Sequence, residues 1–229
     1  MSEEVAKDLL ETRSVYVNLK QPFTLTSGRR SPVYVDCRRL ISYPKIRYRI
    51  VIRFAEIVAA KIGVKEVDVI AGGETAGIPY AAFLAVKLNK PMVYVRKTPK
   101  GHGRSAQIEG VLNQGDRVLL VEDLVTDGES KLQFKAGIET AGGRMTDCLC
   151  VFEYRCDRLG LQEARENLAR HDIRLHSLAT WDDVLSVMEI EGRFSAEQRD
   201  ELLRFLKDPE GWEGEGGDDP RRAQSDPGL

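Results

Sequence analysis

Apolar residues recur along this chain in two patterns, one with helical spacing and one of short continuous runs. After Pro44, apolar positions at 46, 50, 54, 57, 58 and 62 keep a near-helical period, so a helix is predicted to run to about Gly63. Four consecutive apolar residues, Val118-Leu119-Leu120-Val121, are typical of a strand buried on both faces of a parallel sheet. The two patterns alternate through most of the sequence.

This alternation predicts the order of the elements. Strands are expected at 67–71, 92–95, 117–122, 145–153 and 173–178. Besides the helix that follows Pro44, helices are expected at 2–12, 78–89, 130–141, 160–170, 181–190 and 195–207. Strands separated by helical segments indicate right-handed crossovers and a parallel sheet, so the expected fold class is α/β.

The two ends of the chain depart from the alternation. Residues 15–35 resemble short strands around a turn at 27–32, which predicts a small lobe ahead of the main sheet, here called the hood. The expected organisation is therefore an N-terminal helix and hood at 1–42 and a core at 43–207. The remaining segment, 208–229, is rich in Gly, Pro, Asp and Glu and is predicted to be a disordered tail.

Composition narrows the classes of function. The 229 residues are 42% hydrophobic and 31% charged, which suits one sizeable α/β domain. A net charge of −2 gives no overall attraction to nucleic acid or membrane, and no stretch approaches the roughly 20 apolar residues of a membrane span. We therefore expect a cytoplasmic protein with no nucleic-acid or membrane partner.

The cysteines do not indicate a metal site. Four cysteines and three histidines lack the spacing of zinc ligands, so reduced thiols are expected. Cys148 and Cys150 should alternate onto one face of a strand, because successive side chains of a strand point to opposite faces.

The segment Glu122-Asp123-Leu124-Val125-Thr126-Asp127-Gly128-Glu129-Ser130 carries the most informative candidate chemistry. Glu122 and Asp123 would stand at the carboxyl end of a strand, where open α/β sheets bind ligands. The turn at 126–130 would present backbone N–H groups at a helix N-terminus, a geometry that binds phosphate. Carboxylates beside such a turn fit a ribose 5-phosphate. The alternative is an ordinary capped start of a helix.

A second segment, Arg96-Lys97-Thr98-Pro99-Lys100-Gly101-His102-Gly103-Arg104, holds several positive charges and no acid. Pro99 forbids a helix through this run and its glycines loosen it, which predicts a loop that closes over an anionic ligand. A solvated charged loop is the alternative.

Four segments, in their order along the chain, resemble the orotate phosphoribosyltransferases, a family of type I phosphoribosyltransferases. They are the turn Phe23–Pro32, the loop Ala71–Pro79, the basic run continuing into Gln107-Ile108-Glu109-Gly110, and Glu122–Ser130, which resembles the signature for phosphoribosyl pyrophosphate (PRPP). The likeness covers about Pro22 to Leu206. It implies a type I phosphoribosyltransferase core plus the hood. The implied reaction is orotate plus PRPP giving orotidine 5′-monophosphate and pyrophosphate, in pyrimidine synthesis.

The resemblance also implies roles for individual residues. Lys100, His102 and Asp123 would be catalytic, with Lys100 the principal group and His102 able to protonate the leaving group. The residues implied in PRPP binding are Thr75, Ala76, Arg96, Lys97, Lys100, His102, Glu122, Asp123, Leu124, Val125, Thr126, Asp127, Gly128, Glu129 and Ser130.

For orotate, the resemblance implies contacts with Thr126, Arg155 and Tyr34. Arginine suits a carboxylate because its fork donates two parallel hydrogen bonds, but Arg158 competes with Arg155 for that role. Tyr34 could stack on the ring or belong to the core. The resemblance further implies Mg²⁺ held mainly through PRPP oxygens, with no direct protein ligand, and a homodimer in which loop residues act across the interface.

The chain departs from the family's commonest pattern in three places. Thr26 stands where many members have lysine, and Thr75-Ala76 stand where many have an aromatic residue and a lysine, so those contacts cannot be transferred as charges. Glu129 lies in the phosphate turn, where its carboxylate would repel a phosphate unless it points outward.

Two rival functions stay open at this point. Another type I transferase, acting on a purine or uracil, would share the PRPP turn but should lack this basic loop. A PRPP-sensing regulator would keep the binding motif without chemistry, and would normally add a nucleic-acid-binding domain or a basic face.

Overall fold

The strands form one large sheet and two small ribbons in the computed structural model, which describes residues 2–25, 28, 30–100 and 107–212. In chain order they are β1 (Val15–Val17), β2 (Phe23–Thr24), β3 (Arg30–Ser31), β4 (Val33–Val35), β5 (Val69–Gly73), β6 (Met92–Val95), β7 (Ile108–Glu109), β8 (Arg117–Val125), β9 (Arg144–Glu153) and β10 (Arg174–Thr180). The large sheet has the order β10-β9-β8-β5-β6-β7. Its pairs are parallel except for β6 with β7.

Helices cover both faces of this sheet. They are α1 (Ser2–Glu11), α2 (Pro44–Ile57), α3 (Gly77–Leu88), α4 (Glu129–Thr140), α5 (Glu163–Ala169), α6 (Trp181–Ile190) and α7 (Ala196–Lys207). Shorter helical turns lie at Cys37–Ser42, Val58–Ile62, Val64–Glu66 and Asp157–Leu159. The predicted α/β fold, a mostly parallel sheet flanked by helices, is confirmed.

The core is split by the sheet into two clusters. Along β8, Leu119 and Val121 pack with residues of α1, α2, α3, α6 and α7, whereas Val118 and Leu120 pack with residues of α4 and α5. Successive side chains of a strand point to opposite faces, and here both faces are covered by a core cluster. This is why β8 has a continuous run of apolar residues.

The cysteines follow the same geometry. Cys148 and Cys150 lie in the same cluster, as predicted, and all four cysteines are buried free thiols. Burial raises the pKa of each thiol, that of Cys156 to about 12, so the reactive thiolate is disfavoured at neutral pH.

The hood is fixed to the core by directional contacts. β1 pairs with β4 and β2 with β3, both antiparallel, and the rings of Tyr16, Phe23 and Tyr34 lie with centroids 6.1 to 6.3 Å apart. The buried Tyr80 hydroxyl of α3 donates to the Cys37 carbonyl at 2.6 Å, which joins the end of the hood to the core. Thr26, Ser27 and Arg29 of the predicted turn lie outside the described residues.

The predicted boundaries need four corrections. β5 begins at Val69 rather than at 67, and β8 continues past 122 to Val125 because β9 keeps pairing with it. The predicted helix at 160–170 contains α5 from Glu163, preceded by the short turn Asp157–Leu159. The short helical turn Cys37–Ser42 was not predicted.

The residues that follow α7 still contact this helix. Trp212 packs edge-on against Phe205 with ring centroids 5.5 Å apart, and its Nε1 donates to Glu201 at 2.8 Å. Most of the predicted tail, 213–229, lies outside the described residues. Among the helices that the structure describes, none is long and apolar enough to cross a membrane.

Candidate active site

Glu122 and Asp123 lie where β8 extends beyond the end of its neighbour β5. The register of these strands ends at Gly72 paired with Val121, whereas β8 continues beside β9 until Val125 pairs with Glu153. Glu122 and Asp123 are therefore inside β8 rather than at its end, which corrects the sequence prediction. They still stand at the carboxyl edge of the sheet, because β5 no longer covers them.

Glu122 is buried and ion-paired. Its Oε2 accepts a hydrogen bond from Nζ of Lys131 at 2.5 Å, and the two side chains are 7% and 6% exposed. Burial raises the pKa of Glu122, while the Lys131 charge acts in the opposite direction. The predicted contact of Glu122 with a ribose stays a prediction, and this ion pair occupies one of its two oxygens.

Asp123 is half-buried at the same edge. Burial raises the pKa of its carboxyl, whereas the charges of Lys131 and Arg38 and the backbone N–H groups of Asp123 and Leu124 lower it. Its charge in turn raises the pKa of Cys37 and of Tyr80, so Asp123 faces the junction of hood and core. A half-buried carboxylate between two cations is suited to accept hydrogen bonds from sugar hydroxyls.

The loop between β5 and α3 approaches these acids closely. A Cβ atom at Gly73 would collide with Oε1 of Glu122, and one at Gly77 would collide with the Val121 carbonyl. Only glycine allows this approach, which holds the loop's backbone beside the acidic pair. In this loop Thr75 is exposed and Ala76 half-buried, and the Glu74–Thr75 peptide is cis.

Glu74 joins this loop to the basic segment. Its Oε2 accepts from the Lys97 backbone N–H at 2.8 Å, and its own backbone N–H donates to the Val95 carbonyl at 2.9 Å. Glu74 therefore has a structural role here, which the sequence analysis did not assign. The start of the basic run is therefore tied to the loop whose Thr75 and Ala76 the family resemblance assigns to PRPP binding.

The phosphate turn is held by α5. Gly128 has φ +87° and a Cβ there would meet Leu168, while Asn167 Nδ2 donates to the Asp127 carbonyl at 3.0 Å. Oδ1 of Asp127 accepts from the Glu129 backbone N–H at 2.9 Å, which fixes the first turn of α4.

Within this segment the side chains divide by exposure. Thr126, Asp127 and Glu129 are exposed, Ser130 and Leu124 are half-buried, and Val125 is buried in the core. The outward placement of Glu129 is the arrangement that keeps its carboxylate from repelling a phosphate on the backbone of the turn.

The basic run begins as the stem of a hairpin. The Arg96 backbone N–H donates to the Gln107 carbonyl at 2.8 Å, and the side chain of Gln107 donates back to the Arg96 carbonyl at 3.1 Å. Nη1 of Arg96 lies 3.5 Å from Glu109. Lys97 and Lys100 are exposed, whereas His102 and the rest of 101–106 lie outside the described residues.

The structure distinguishes the two candidate arginines for orotate. Arg158 is bound by three groups of α6, Glu189 at 2.7 Å, Ser186 at 2.7 Å and Asp182 at 3.2 Å. Arg155 contacts Asp157 at 2.9 Å and Glu153 at 3.8 Å. Fewer acceptors hold Arg155 than Arg158, so more of its donors are available to a ligand, and its contact with orotate stays a prediction.

Tyr34 lies in the aromatic cluster of the hood and is half-buried. Its hydroxyl accepts from Nη2 of Arg38 at 2.9 Å, and Nε of Arg38 donates to Asp36 at 2.5 Å. Arg38, which sequence reasoning missed, thus connects Tyr34 with the electrostatic environment of Asp123. A basic residue shortly after the hood strand is too common a feature to have indicated this.

The donors near this edge suit a magnesium ion bound mainly through its ligand. Among the described residues, no group of three or more His, Cys, Asp and Glu side chains could hold a metal. The half-buried Asp123 supplies one carboxylate, while Lys131 occupies an oxygen of Glu122. A hard cation such as Mg²⁺ would therefore take most of its oxygen ligands from a phosphorylated substrate and water.

Comparison with known proteins decides the family. The model of the "Phosphoribosyl transferase domain" matches residues 43–168. An orotate phosphoribosyltransferase of Jannaschia sp. (strain CCS1) is 47% identical over 217 residues, which are 95% of this chain and 93% of that protein. The chain belongs to the orotate phosphoribosyltransferase family. The resemblance in the sequence is thereby confirmed, together with the enzyme class.

Solved structures of the family have the same fold. Orotate phosphoribosyltransferase from Aeropyrum pernix matches with a TM-score of 0.68 and 32% identity, over 83% of this chain and 99% of that one. The Mycobacterium tuberculosis H37Rv enzyme in complex with PRPP matches with a TM-score of 0.60 and 26% identity, over 80% of this chain and 98% of that one.

The glycine approach leads to a prediction. Gly77→Ala should weaken PRPP binding by about tenfold or more, because the new Cβ must displace the Val121 backbone or the Glu122 carboxylate. Calorimetric titration with PRPP would measure the effect. Val86→Ala, at an exposed position of the same helix, is the control. Equal PRPP affinity in wild type and Gly77→Ala would contradict the proposed packing.

Proposed function

We propose that this protein transfers the 5-phosphoribosyl group of PRPP to N1 of orotate, giving orotidine 5′-monophosphate and pyrophosphate. One observation carries the proposal beyond family membership: three segments with complementary chemistry contact one another at one edge of the sheet. The loop at Gly73–Gly77 approaches Glu122, and Glu74 binds the start of the basic run. Substrate hydroxyls, phosphate and pyrophosphate thus each find a suitable group within one site.

The chemistry divides among these segments. Orotate reacts as the anion that has lost its N1 proton to solvent. As the C1–O bond to pyrophosphate breaks and the N1–C1 bond forms, positive charge develops on the ribose and negative charge on the leaving group. Asp123 would accept hydrogen bonds from the ribose hydroxyls, and the backbone N–H groups of 126–130 would bind the 5-phosphate. Arg96, Lys97, Lys100 and His102 would stabilise the departing pyrophosphate, with His102 donating a proton. Thr75 and Ala76 would offer backbone groups to the same pyrophosphate.

Magnesium fits this arrangement. Asp123 is the protein carboxylate that would help to hold Mg²⁺ together with oxygens of the substrate, and the ion would neutralise part of the charge of PRPP. The cytoplasmic location suggested by the sequence stays a prediction.

The acceptor specificity can be tested directly. With PRPP and Mg²⁺, orotate should be consumed with loss of its ultraviolet absorbance, while uracil, adenine, guanine and hypoxanthine should react far more slowly. Preferential turnover of a purine or uracil would identify another type I transferase. Tight PRPP binding without turnover of any base would indicate a PRPP sensor.

Lys100 should act mainly on the transition state. Lys100→Ala is expected to lower kcat by about a hundredfold or more while PRPP binding falls far less, because a stabilising charge is lost where charge develops. Steady-state kinetics and equilibrium PRPP binding measure the two effects. Lys87→Ala, at the exposed end of α3, is the control. An equal loss of binding and turnover would argue against this role.

Arg155 and Arg158 provide a second comparison. Arg155→Ala should raise the KM for orotate by roughly tenfold or more, because a charge-assisted hydrogen bond to its carboxylate is lost. Arg158→Ala should leave that KM nearly unchanged, since Arg158 is bound to α6. The KM for PRPP is the internal reference. The opposite ranking of the two variants would assign the carboxylate to Arg158.

We further propose a homodimer whose basic loops act in the partner's site. Mixing Lys100→Ala subunits with Asp123→Asn subunits should restore about a quarter of wild-type activity, because half of randomly formed dimers are hybrids and each hybrid has one whole site. Activity of the mixture, measured after subunit exchange, tests this. No recovery despite demonstrated exchange would place each loop in its own subunit.

A further inference from the structure

Lys131 is a buried cation in a position where a helix usually exposes one. It lies in the first turn of α4, and its ammonium donates to Glu122 at 2.5 Å and to the Ser130 hydroxyl at 3.1 Å. Only 6% of its side chain is exposed. Because removing an ammonium and a carboxylate from water is costly, a buried ion pair is weak evidence for a purely stabilising role.

The Glu122 carboxylate, which is bound to Lys131, packs against the Gly73–Gly77 loop. Oε1 of Glu122 is buried and has no hydrogen-bond partner among the described residues. It faces the positions of Gly73 and Gly77, where an added Cβ would collide with it or contact it at 2.8 Å. The Glu122 carboxylate thus fixes the distance between β8 and the loop assigned to pyrophosphate.

Asp123 shares this electrostatic environment. The charged and titratable groups that interact with the pair or with Asp123 come from several neighbouring elements: Cys37 and Arg38 of the hood junction, Tyr80 of α3, Lys97 of the basic run and Cys148 of β9. Within the described residues, Lys131 is the cation that is hydrogen-bonded to Glu122.

We propose that Lys131 is a positioning residue for PRPP, which holds the Glu122 carboxylate against the Gly73–Gly77 loop and thereby fixes the loop backbone beside the site. The inference rests on the proposed function, because it assigns PRPP to this edge. It adds a residue on which the family resemblance placed no role.

The directions of the pKa shifts support this assignment. Burial raises the pKa of Glu122 and of Asp123, and Lys131 lowers both. Burial alone would lower the pKa of Lys131, but the charge and hydrogen bond of Glu122 outweigh it and leave that pKa raised. Lys131 therefore stays charged through the neutral range and opposes protonation of the two acids.

Removing the cation and removing the whole ion pair should have different effects. In Lys131→Met the buried Glu122 carboxylate loses its partner, so the protein should melt at a lower temperature and bind PRPP about tenfold more weakly or worse. In the double variant Lys131→Met/Glu122→Leu no buried charge remains, so the melting temperature should recover while PRPP binding stays weak, because no carboxylate packs against the loop. Thermal melting and calorimetric PRPP titration measure the two effects.

The controls separate positioning from packing. Lys135→Met, on the same helix, should keep the wild-type PRPP affinity. A Lys131→Met protein that melts at lower temperature but binds PRPP as tightly as wild type would overturn the proposal. If Lys131→Met does not fold, recovery of wild-type PRPP affinity in the double variant overturns it equally. Failure of the wild-type protein to bind PRPP would instead contradict the proposed function itself.

Discussion

The site depends on a difference in length between two neighbouring parallel strands. β5 stops at Gly73, while β8 continues to Val125 because β9 supplies its hydrogen-bond partners on the other side. Glu122 and Asp123 are therefore held in regular strand geometry by β9, although the pairing with β5 ends one residue before them at Val121. Rigid placement of two adjacent carboxylates at an open edge follows from this offset, and the loop and turn segments are arranged around it.

Electrostatics then separates the roles of the two acids. Adjacent strand residues point to opposite faces, so Glu122 turns into the interior, where Lys131 binds it. Asp123 turns toward the hood junction and stays partly accessible. One acid thus contributes to the packing of the site, while the other is available to a ligand. The Gly73–Gly77 loop packs directly on the buried Glu122, so the position of this acid also affects the position of the loop.

Sequence reasoning predicted the fold well and singled out segments that meet at one edge of the sheet, because both depend on local patterns. The apolar run at Val118–Val121, the helical period after Pro44 and the order of the motifs were sufficient. It ended β8 too early, since polar residues at 122 and 123 resemble a turn, and only pairing with β9 keeps them in the strand. Lys131 was also missed: its burial depends on a contact nine residues away, although it shares the buried face of α4 with Phe134 and Ile138.

A structure of this protein with bound PRPP and Mg²⁺ tests the central claim most directly. The account predicts the ribose hydroxyls within hydrogen-bond distance of Asp123, the 5-phosphate on the backbone of 126–130, and Glu122 still bound to Lys131. PRPP located away from this edge, or a Glu122 carboxylate that leaves Lys131 to bind the ribose while Asp123 makes no contact, would contradict it.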